Sequence, residues 1–268
     1  MKSLETVSLN NQLLIVQYMK EQRPFIIKTG LDFTLRTFDY LEQISSELVT
    51  VLKKINTCGT RKHCLKKTMT LFQYLHGNEI NNGWFLSANI MKNKAFMNQT
   101  RTLITQHSPA LGHLLEHRKA AMTNLWISSG NKIEGLHNDP AVDNFNIQLM
   151  GKKTFYLAPP GNKGFYPGSL LKHLHHTSAI HDLFHYDKNR YPEFFDRLPE
   201  FYKGDLSSGD LIFIPSFWWH QVHTKPQDLS VNINWWYVNI KTMPKHLKQT
   251  IGMWYVMLYR YLYQRHLA

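Results

Sequence analysis

The sequence predicts a mainly β protein with flanking helices, and three patterns support this fold class. Residues 144–150 and 229–237 alternate between apolar and polar side chains, as a strand with one buried face does. Residues 211–215 form an apolar run that ends at a proline, which is typical of a short buried strand. Residues 244–266 carry apolar side chains at steps of three and four, which predicts one or two helices near the C-terminus.

The N-terminal part mixes helix and strand patterns. Ser108 followed by Pro109 favours a helix start, because serine caps helices well and proline fits the first turn. The other expected elements are, in order, a helix or irregular lead-in at 1–22, a strand at 24–30, a helix that Thr37 caps and that runs to Leu48, a strand at 49–56, an exposed loop at 57–67, a helix at 70–76 and a strand at 84–90.

From residue 124 onward the patterns are those of strands. Residues 161–203 form a long connection rich in His, Tyr and Pro, and a connection of this length is more often functional than idle. Besides the strands already described, strands are expected at 125–129, at 153–157 as the hairpin partner of 144–150 across Gly151, and at 220–224.

The two alternating strands carry amide side chains on one face. Asn144, Asn146 and Gln148 share this face in the first strand, and Asn232 and Asn234 share it in the second. A solvent-facing strand would more usually carry Lys, Glu and Thr, and an amide buried without partners costs a few kcal/mol. The pattern favours a β-barrel whose interior holds a polar ligand, although a plain exposed face remains an alternative.

The composition excludes a disordered chain and indicates a basic protein. Of the 268 residues, 43% are hydrophobic and 13% aromatic, which suffices for a large core. The formal charge of +12 favours an acidic partner such as nucleic acid, or else serves solubility.

The cysteines and the ends of the chain predict a soluble, cytoplasmic protein. Cys58 and Cys64 are too few for a disulfide framework or a four-cysteine zinc site. The N-terminus lacks the apolar core of a signal peptide. Residues 251–263 are too short to span a bilayer and include Arg260, so no membrane is expected as a partner.

Three residues form a candidate iron site. His137 and Asp139 are separated by one residue, so an extended backbone places both side chains on one side. Two histidines and one carboxylate on one face of ferrous iron leave the opposite positions open for a co-substrate and dioxygen. His220, which follows the buried strand, is the best candidate for the third ligand. The plainer alternative is that His137 is a solvated loop histidine.

Two other histidine patterns carry weaker hypotheses. His113, Glu116 and His117 match a zinc-peptidase motif, but their leucine neighbours favour an ordinary amphipathic helix. The histidines of 172–176, with His181 and His185, suggest either a second metal site or a loop near the pocket mouth.

Residues 124–237 resemble the JmjC/cupin-type branch of the Fe(II)- and 2-oxoglutarate-dependent oxygenases. The small JmjC hydroxylases are the most similar, among them the asparaginyl hydroxylase of the hypoxia factor and the tRNA wybutosine hydroxylase. The motifs that carry the resemblance are His137-Asn-Asp139, Asp143-Asn144-Phe-Asn-Ile-Gln148, Gly151-Lys-Lys153, Pro159-Pro160, Gly209-Asp210, Ile214-Pro215, Trp218-Trp219-His220 and Asn234-Trp-Trp-Tyr237.

The resemblance implies a double-stranded β-helix, or jelly-roll, core at 124–240. Residues 1–123 would form a mixed α/β support region packed on that barrel, and 241–268 a C-terminal helical segment, all within one compact domain. By the resemblance, these C-terminal helices support a homodimer through an apolar stripe that consists of Leu247, Ile251, Trp254, Leu258 and Leu262.

The resemblance also implies roles for six residues. His137, Asp139 and His220 would bind Fe(II). Lys153 would pair with the distal carboxylate of the co-substrate 2-oxoglutarate, with Asn144 and Asn234 nearby.

Two positions depart from the family pattern. Glu134 stands three residues before the first ligand, where Ser or Thr is usual. A carboxylate there would repel the co-substrate, so Glu134 must turn away, pair with a cation, or indicate an altered pocket. Phe85 lacks the hydroxyl of a tyrosine that is common in the family.

The implied reaction is hydroxylation of a C–H bond, with succinate and carbon dioxide as co-products. A protein side chain is the first expectation for the substrate. A base of tRNA or another nucleic acid is the alternative, and a JmjC-like binding module without turnover is the non-enzymatic one.

Overall fold

A computed structural model describes residues 1–54, 64–116, 119–130, 132–169, 176–226 and 229–263, and its centre is two β-sheets. The strands are β1 (Lys2–Ser3), β2 (Glu5–Ser8), β3 (Phe25–Lys28), β4 (Leu48–Lys54), β5 (Cys64–Thr70), β6 (Phe85–Asn89), β7 (Met122–Ser128), β8 (Ile133–Asn138), β9 (Val142–Met150), β10 (Lys153–Ala158), β11 (Tyr202–Leu206), β12 (Leu211–Ile214), β13 (Trp219–Thr224) and β14 (Ser230–Val238). The helices are α1 (Gln12–Glu21), α2 (Thr34–Gln43), α3 (Leu71–His76), α4 (Lys94–His107), α5 (Pro109–Glu116), α6 (Pro192–Arg197) and α7 (Leu247–Tyr263).

The two sheets form the predicted jelly-roll core. The larger has nine strands in the order β2-β3-β12-β9-β14-β7-β6-β4-β5. The smaller has five in the order β1-β11-β10-β13-β8. The hairpin expected across Gly151 is wrong, because β9 pairs with β12 and β14 whereas β10 pairs with β11 and β13. Gly151 therefore carries the chain from one sheet to the other, with a φ of 73° that favours glycine.

The predicted amide faces lie in the interior of the barrel. Asn144, Asn146, Gln148, Asn232 and Asn234 are all buried, so the solvent-exposed alternative is wrong. The opposite face of the nine-stranded sheet is apolar and shares one large core with the N-terminal helices. Two-sided burial of β9 and β14 thus explains why each strand pairs an apolar face with an amide face rather than a charged one.

The long connection before β11 covers the outer face of the five-stranded sheet. Phe165, Phe194 and Phe201 of this connection are buried against Trp219 of β13. The long connection expected at 161–203 contains α6, a 3-10 helix at Leu198–Glu200 and the start of β11. These elements are short and lie among proline and tyrosine residues, so the sequence pattern did not indicate them.

Several N-terminal elements differ from expectation. Thr37 does not cap its helix, because α2 already begins at Thr34 and the Thr37 hydroxyl donates to the Phe33 carbonyl within it. Leu48 begins β4 rather than ending that helix. The loop expected at 57–67 is wrong from Cys64 onward, where β5 pairs with β4. Its remaining part, with Cys58, lies outside the described residues.

Gly209→Ala is expected to destabilise the fold strongly. Gly209 has a φ of 87°, and a Cβ there would lie 2.0 Å from the Leu31 carbonyl oxygen. Gly30→Ala is the matched control, since Gly30 has a φ of 72° but no heavy atom within 4 Å of the added Cβ. We expect the control to cost about 1–2 kcal/mol in the free energy of unfolding. Gly209→Ala should cost about 1–3 kcal/mol more, because the backbone must shift. Equal losses in urea titrations would contradict this packing.

Candidate metal centre and co-substrate pocket

The structure brings the three predicted ligands together. His137 on β8 and His220 on β13 are register partners of adjacent strands, and their ring centroids lie 4.2 Å apart. Asp139 follows β8 directly, and its Oδ2 lies 3.8 Å from His220 Nε2. The ligand atoms of all three lie within 4.8 Å of one another. One strand pair therefore supplies two imidazoles and one carboxylate to a single point.

Both histidines are held in the tautomer that suits a metal ligand. His137 Nδ1 lies 2.7 Å from the Gly135 carbonyl oxygen, and His220 Nδ1 lies 3.0 Å from that of Trp218. A carbonyl oxygen only accepts, so each Nδ1 carries a proton and donates it. Each Nε2 is left with its lone pair for a cation, the usual arrangement of a metal-binding histidine.

The burial of the site favours the neutral imidazole of His220. Burial, with the neighbouring His137, lowers the pKa of His220 to about 4, and Asp139 only partly opposes this shift. Asn144 Nδ2 donates to Asp139 Oδ2 at 3.3 Å. This hydrogen bond fixes the carboxylate beside the two rings.

The long connection braces the ligand strand from outside. Asn138 N–H donates to the His176 carbonyl at 2.8 Å, and Ser178 N–H donates to that of Leu136 at 2.9 Å. His181 packs so closely on Gly135 that a Cβ there would lie 2.3 Å from the imidazole. The segment at 176–181 thus acts as a short extension of the sheet that keeps His137 in place.

A pocket inside the barrel adjoins the three ligands. Asn234 lies in its wall, and its Oδ1 accepts from Asn124 Nδ2 at 3.1 Å and from the Trp126 indole at 3.3 Å. Lys153 donates to Asn232, whose own amide donates to Asn146 at 3.1 Å. The amide face of the barrel thus lines a polar pocket and fixes the groups around it.

Lys153 is a buried cation in this pocket. Burial and, to a smaller extent, nearby Lys132 lower its pKa to about 7, while Glu134 opposes the shift. Within the described residues its amine pairs with an amide oxygen and with no carboxylate. A buried ammonium without a counter-ion is costly, so an anionic ligand at this point would be strongly favoured.

Glu134 pairs with two cations, which is one of the arrangements expected for a carboxylate at this position. Its Oε2 lies 3.0 Å from Lys132 Nζ and 3.4 Å from Lys54 Nζ. Burial on its own raises the pKa of this carboxyl, but the two lysines outweigh that effect and hold it well below its usual range. Phe85 lies under Lys132, with the ammonium 3.4 Å from the ring centroid.

Lys132 and Lys54 are functional candidates that the sequence reading missed. Lys132 stands two residues before Glu134, so alternation along the strand could have indicated a shared face. Lys54 comes from a distant strand, and no local pattern marks it.

The residues present fit iron and 2-oxoglutarate. Two imidazoles and a buried carboxylate are the donor set of a ferrous site with open positions. Asn144 Oδ1 and the Trp236 indole N–H line the pocket, are buried, and find no partner within the described residues. A polar, anionic ligand would provide these two atoms with hydrogen-bond partners and the buried amine of Lys153 with a carboxylate.

The weaker histidine hypotheses gain no support from the geometry. Across the described residues, the only group of three potential metal ligands is His137, Asp139 and His220. His185 bonds to Asp182 at 2.8 Å and is otherwise exposed. His117 and the histidines at 173 and 175 lie outside the described residues.

The described residues include no candidate membrane span. None of their helices is both long and apolar enough to cross a bilayer.

Comparisons with known proteins place the chain in a family. A family profile described as "Cupin-like domain" matches residues 12–243. JmjC domain-containing protein C of Dictyostelium discoideum is 32% identical over 115 residues, which is 41% of this chain and 27% of that protein. Lysine-specific demethylase 8 of Xenopus tropicalis is 30% identical over 115 residues, which is 42% of this chain and 24% of that protein. The human HSPB1-associated protein 1 is 29% identical over 117 residues, 43% of this chain and 24% of that protein.

The aligned part is only about a quarter of the length of these relatives. The family profile, in contrast, covers most of the chain, including both strands that carry the metal-ligand candidates. The chain therefore belongs to the cupin-like JmjC family, whose members are iron- and 2-oxoglutarate-dependent oxygenases.

Proposed function

We propose that this chain is an Fe(II)- and 2-oxoglutarate-dependent dioxygenase that hydroxylates a C–H bond of a protein side chain. One observation carries the proposal: two tautomer-fixed histidines and a buried carboxylate converge beside a pocket that holds the buried amine of Lys153, which bonds to an amide oxygen and, within the described residues, to no carboxylate. A binding module without turnover would not need this donor set, so the non-enzymatic alternative is disfavoured.

In this proposal each residue has a defined task. His137, Asp139 and His220 hold the iron, and Lys153 binds the distal carboxylate of 2-oxoglutarate. When bound, iron and 2-oxoglutarate would supply, with dioxygen as the oxidant, an oxidative decarboxylation in which one oxygen atom enters succinate and the other enters the substrate C–H bond, with release of carbon dioxide.

The remaining pocket residues orient the reactants and exclude water. Asn144 holds Asp139 and offers its free carbonyl to the pocket, while Trp236 offers an N–H. Asn234 is fixed by Asn124 and Trp126, so its side chain cannot turn without breaking two hydrogen bonds. A fixed polar wall of this kind positions a co-substrate with little reorganisation.

Demethylation of lysine is the second candidate. The names of several relatives, such as lysine-specific demethylase 8 and lysine-specific demethylase JMJ30, favour it. The two activities share one chemical step, because hydroxylation of an N-methyl group releases formaldehyde. They differ in the side chain that is presented to the site.

Mass spectrometry of peptide substrates tests the proposal. Unmodified and methyl-lysine peptide libraries would be incubated with protein, Fe(II), 2-oxoglutarate and air, with Asp139→Ala as the inactive control. We expect a peptide that gains one oxygen atom together with an equal amount of succinate. Loss of a methyl group with formaldehyde would favour the demethylase instead. Succinate formed with tRNA but with no peptide would favour the nucleic-acid alternative.

We further propose a homodimer through α7. Leu247, Ile251, Trp254 and Leu258 are each more than half exposed on this helix, so its apolar face is open to a partner. A second copy of the chain could bury this face, since soluble monomers rarely expose a contiguous apolar patch of this kind.

Light scattering tests the dimer directly. The protein is expected to have the mass of a dimer, and Trp254→Glu with Leu258→Glu should give the mass of a monomer. Lys248→Glu on the same helix is the matched control and should remain dimeric, because Lys248 carries a charge already. A monomeric starting protein would overturn this proposal.

A further inference from the structure

Glu134 places a negative charge in the wall of the pocket that would receive an anion. Glu134, Lys132 and Lys153 all line this pocket. A lone carboxylate there would repel the distal carboxylate of 2-oxoglutarate, since like charges at close range disfavour each other strongly in a buried site. The way in which Glu134 is neutralised therefore decides whether the pocket accepts a dicarboxylate.

Lys132 is the more central of the two lysines that pair with Glu134. Its side chain is 17% exposed and contacts Oε2 of Glu134 at 3.0 Å. Its ammonium lies over the Phe85 ring at 3.4 Å and within 5.4 Å of the Trp126 ring centroid. The two aromatic faces hold the cation at the pocket wall, where a tyrosine hydroxyl would be expected from the family pattern.

Lys54 provides Glu134 with an independent counter-ion. Its Nζ lies 3.4 Å from the same Oε2 and donates to the Ile133 carbonyl at 3.1 Å. The backbone contact anchors Lys54 beside Glu134. Glu134 would therefore keep one ion pair if the ammonium of Lys132 turned toward a ligand.

Lys132 and Lys153 are close enough to affect each other's charge. The positive charge of Lys132 is the second-largest cause, after burial, of the lowered pKa of Lys153. Two ammonium groups thus face one pocket, and Glu134, which pairs with Lys132, is shared with a third lysine. Asp139, the other carboxylate of the pocket wall, belongs to the metal-ligand group. The three lysines therefore outnumber the one carboxylate that pairs with them, which favours binding of a further carboxylate.

We propose that Lys132 is a second binding residue for the distal carboxylate of 2-oxoglutarate, acting together with Lys153, while Lys54 neutralises Glu134. The inference rests on the proposed function and specifies how its co-substrate is recognised. In this chain Lys132 and Lys153 would bind the distal carboxylate. The family pattern has one lysine together with the hydroxyl groups of a serine or threonine and of a tyrosine at the positions of Glu134 and Phe85. Phe85 would therefore contact Lys132 and not the ligand.

Calorimetric titration of the Mn(II)-loaded protein without oxygen tests this proposal, because it measures binding and not turnover. The ligands are 2-oxoglutarate and 2-oxobutyrate, which share the keto-acid group but differ in the distal carboxylate. Lys132→Met should weaken 2-oxoglutarate binding about 10- to 100-fold, as loss of a charge-assisted contact does. Binding of 2-oxobutyrate should change little.

Three further variants make the result specific. Lys132→Arg should restore most of the affinity, because it keeps the charge and the cation–π contact. Lys53→Met is the matched control on β4 and should bind like the unmodified protein. Glu134→Gln should bind 2-oxoglutarate more tightly, since it releases Lys132 from its ion pair and leaves the ammonium available to the ligand. This variant tests the role of Lys132 if Lys132→Met does not fold.

The failures of the two proposals are distinguishable. Equal 2-oxoglutarate affinity in Lys132→Met and the unmodified protein would overturn the role of Lys132 and leave the oxygenase proposal intact. Unchanged affinity in Glu134→Gln would do the same. An unmodified protein that binds Mn(II) but no 2-oxoglutarate would overturn both.

Discussion

Asp139→Ala is expected to abolish binding of ferrous iron, lowering the affinity by more than about a hundredfold. Asp139 supplies the only carboxylate of the three-residue group and is 6% exposed. Loss of a partner outside the ligand set alone costs roughly 10- to 100-fold in metal affinity, so loss of a charged ligand should cost more. Anaerobic equilibrium dialysis with Fe(II) measures the effect.

The control for this prediction is Asp196→Ala, which removes an exposed carboxylate from α6. Its iron affinity should equal that of the unmodified protein. Circular dichroism would establish that both variants are folded. Retention of stoichiometric iron by folded Asp139→Ala would show that the metal site lies elsewhere in the chain.

Lys153→Met is expected to lower the affinity for 2-oxoglutarate by about a hundredfold or more while iron binding is unchanged. The ammonium is buried and carries the charge that a distal carboxylate would meet. Hydrogen bonds to charged groups contribute about 1.5–3 kcal/mol each, and the buried ligand carboxylate would in addition lose its counter-charge. The free energy of unfolding should not fall, because methionine fills a similar volume without a buried charge.

The pH dependence provides a second measurement on Lys153. Its pKa lies near 7 in the folded protein, below the ordinary value of 10.5, so the free amine is partly neutral at neutral pH. A carboxylate ligand prefers the protonated form, so binding should take up a proton. Affinity should be constant well below pH 7 and fall as the pH rises above it.

Lys152→Met is the matched control for Lys153→Met, because Lys152 is the exposed neighbour on the same turn. Calorimetry in buffers of different ionisation enthalpy would count the protons taken up. A pH-independent affinity, or equal effects of the Lys152 and Lys153 variants, would contradict the assigned role.

The convergence of the three candidate ligands could be predicted from the sequence because its signals are local. His137 and Asp139 lie one residue apart on a strand, and His220 follows a recognisable buried strand. Alternation in β9 and β14 likewise reveals which side chains face the barrel interior. Period-two patterns of this kind depend only on neighbouring residues.

The connection between the sheets could not be predicted in the same way. Gly151 looks like the turn of a hairpin, and the strands on either side of it have suitable patterns. Whether two such strands pair with each other or with distant strands depends on long-range contacts. In this fold β9 and β10 belong to opposite sheets, and the register partners of β10 on β11 and β13 lie 45 or more residues further along the chain.

The surroundings of Glu134 show the same limitation. The sequence indicates that this carboxylate needs a cation, yet it does not say which of the lysines supplies it. Lys54 reaches Glu134 from a strand 80 residues earlier.

Helix α4 could not be predicted either, since its polar composition gives only a modest apolar face, although Phe96, Leu103 and Ile104 are buried in the core.

Anaerobic titration of the metal-free protein with Fe(II) and then 2-oxoglutarate tests the central claim most directly. A weak visible charge-transfer band should appear only when both are present. It should vanish in His137→Ala and weaken in Lys153→Ala. Iron binding without a band would contradict the assignment of the co-substrate pocket, and the absence of iron binding would contradict the metal centre itself.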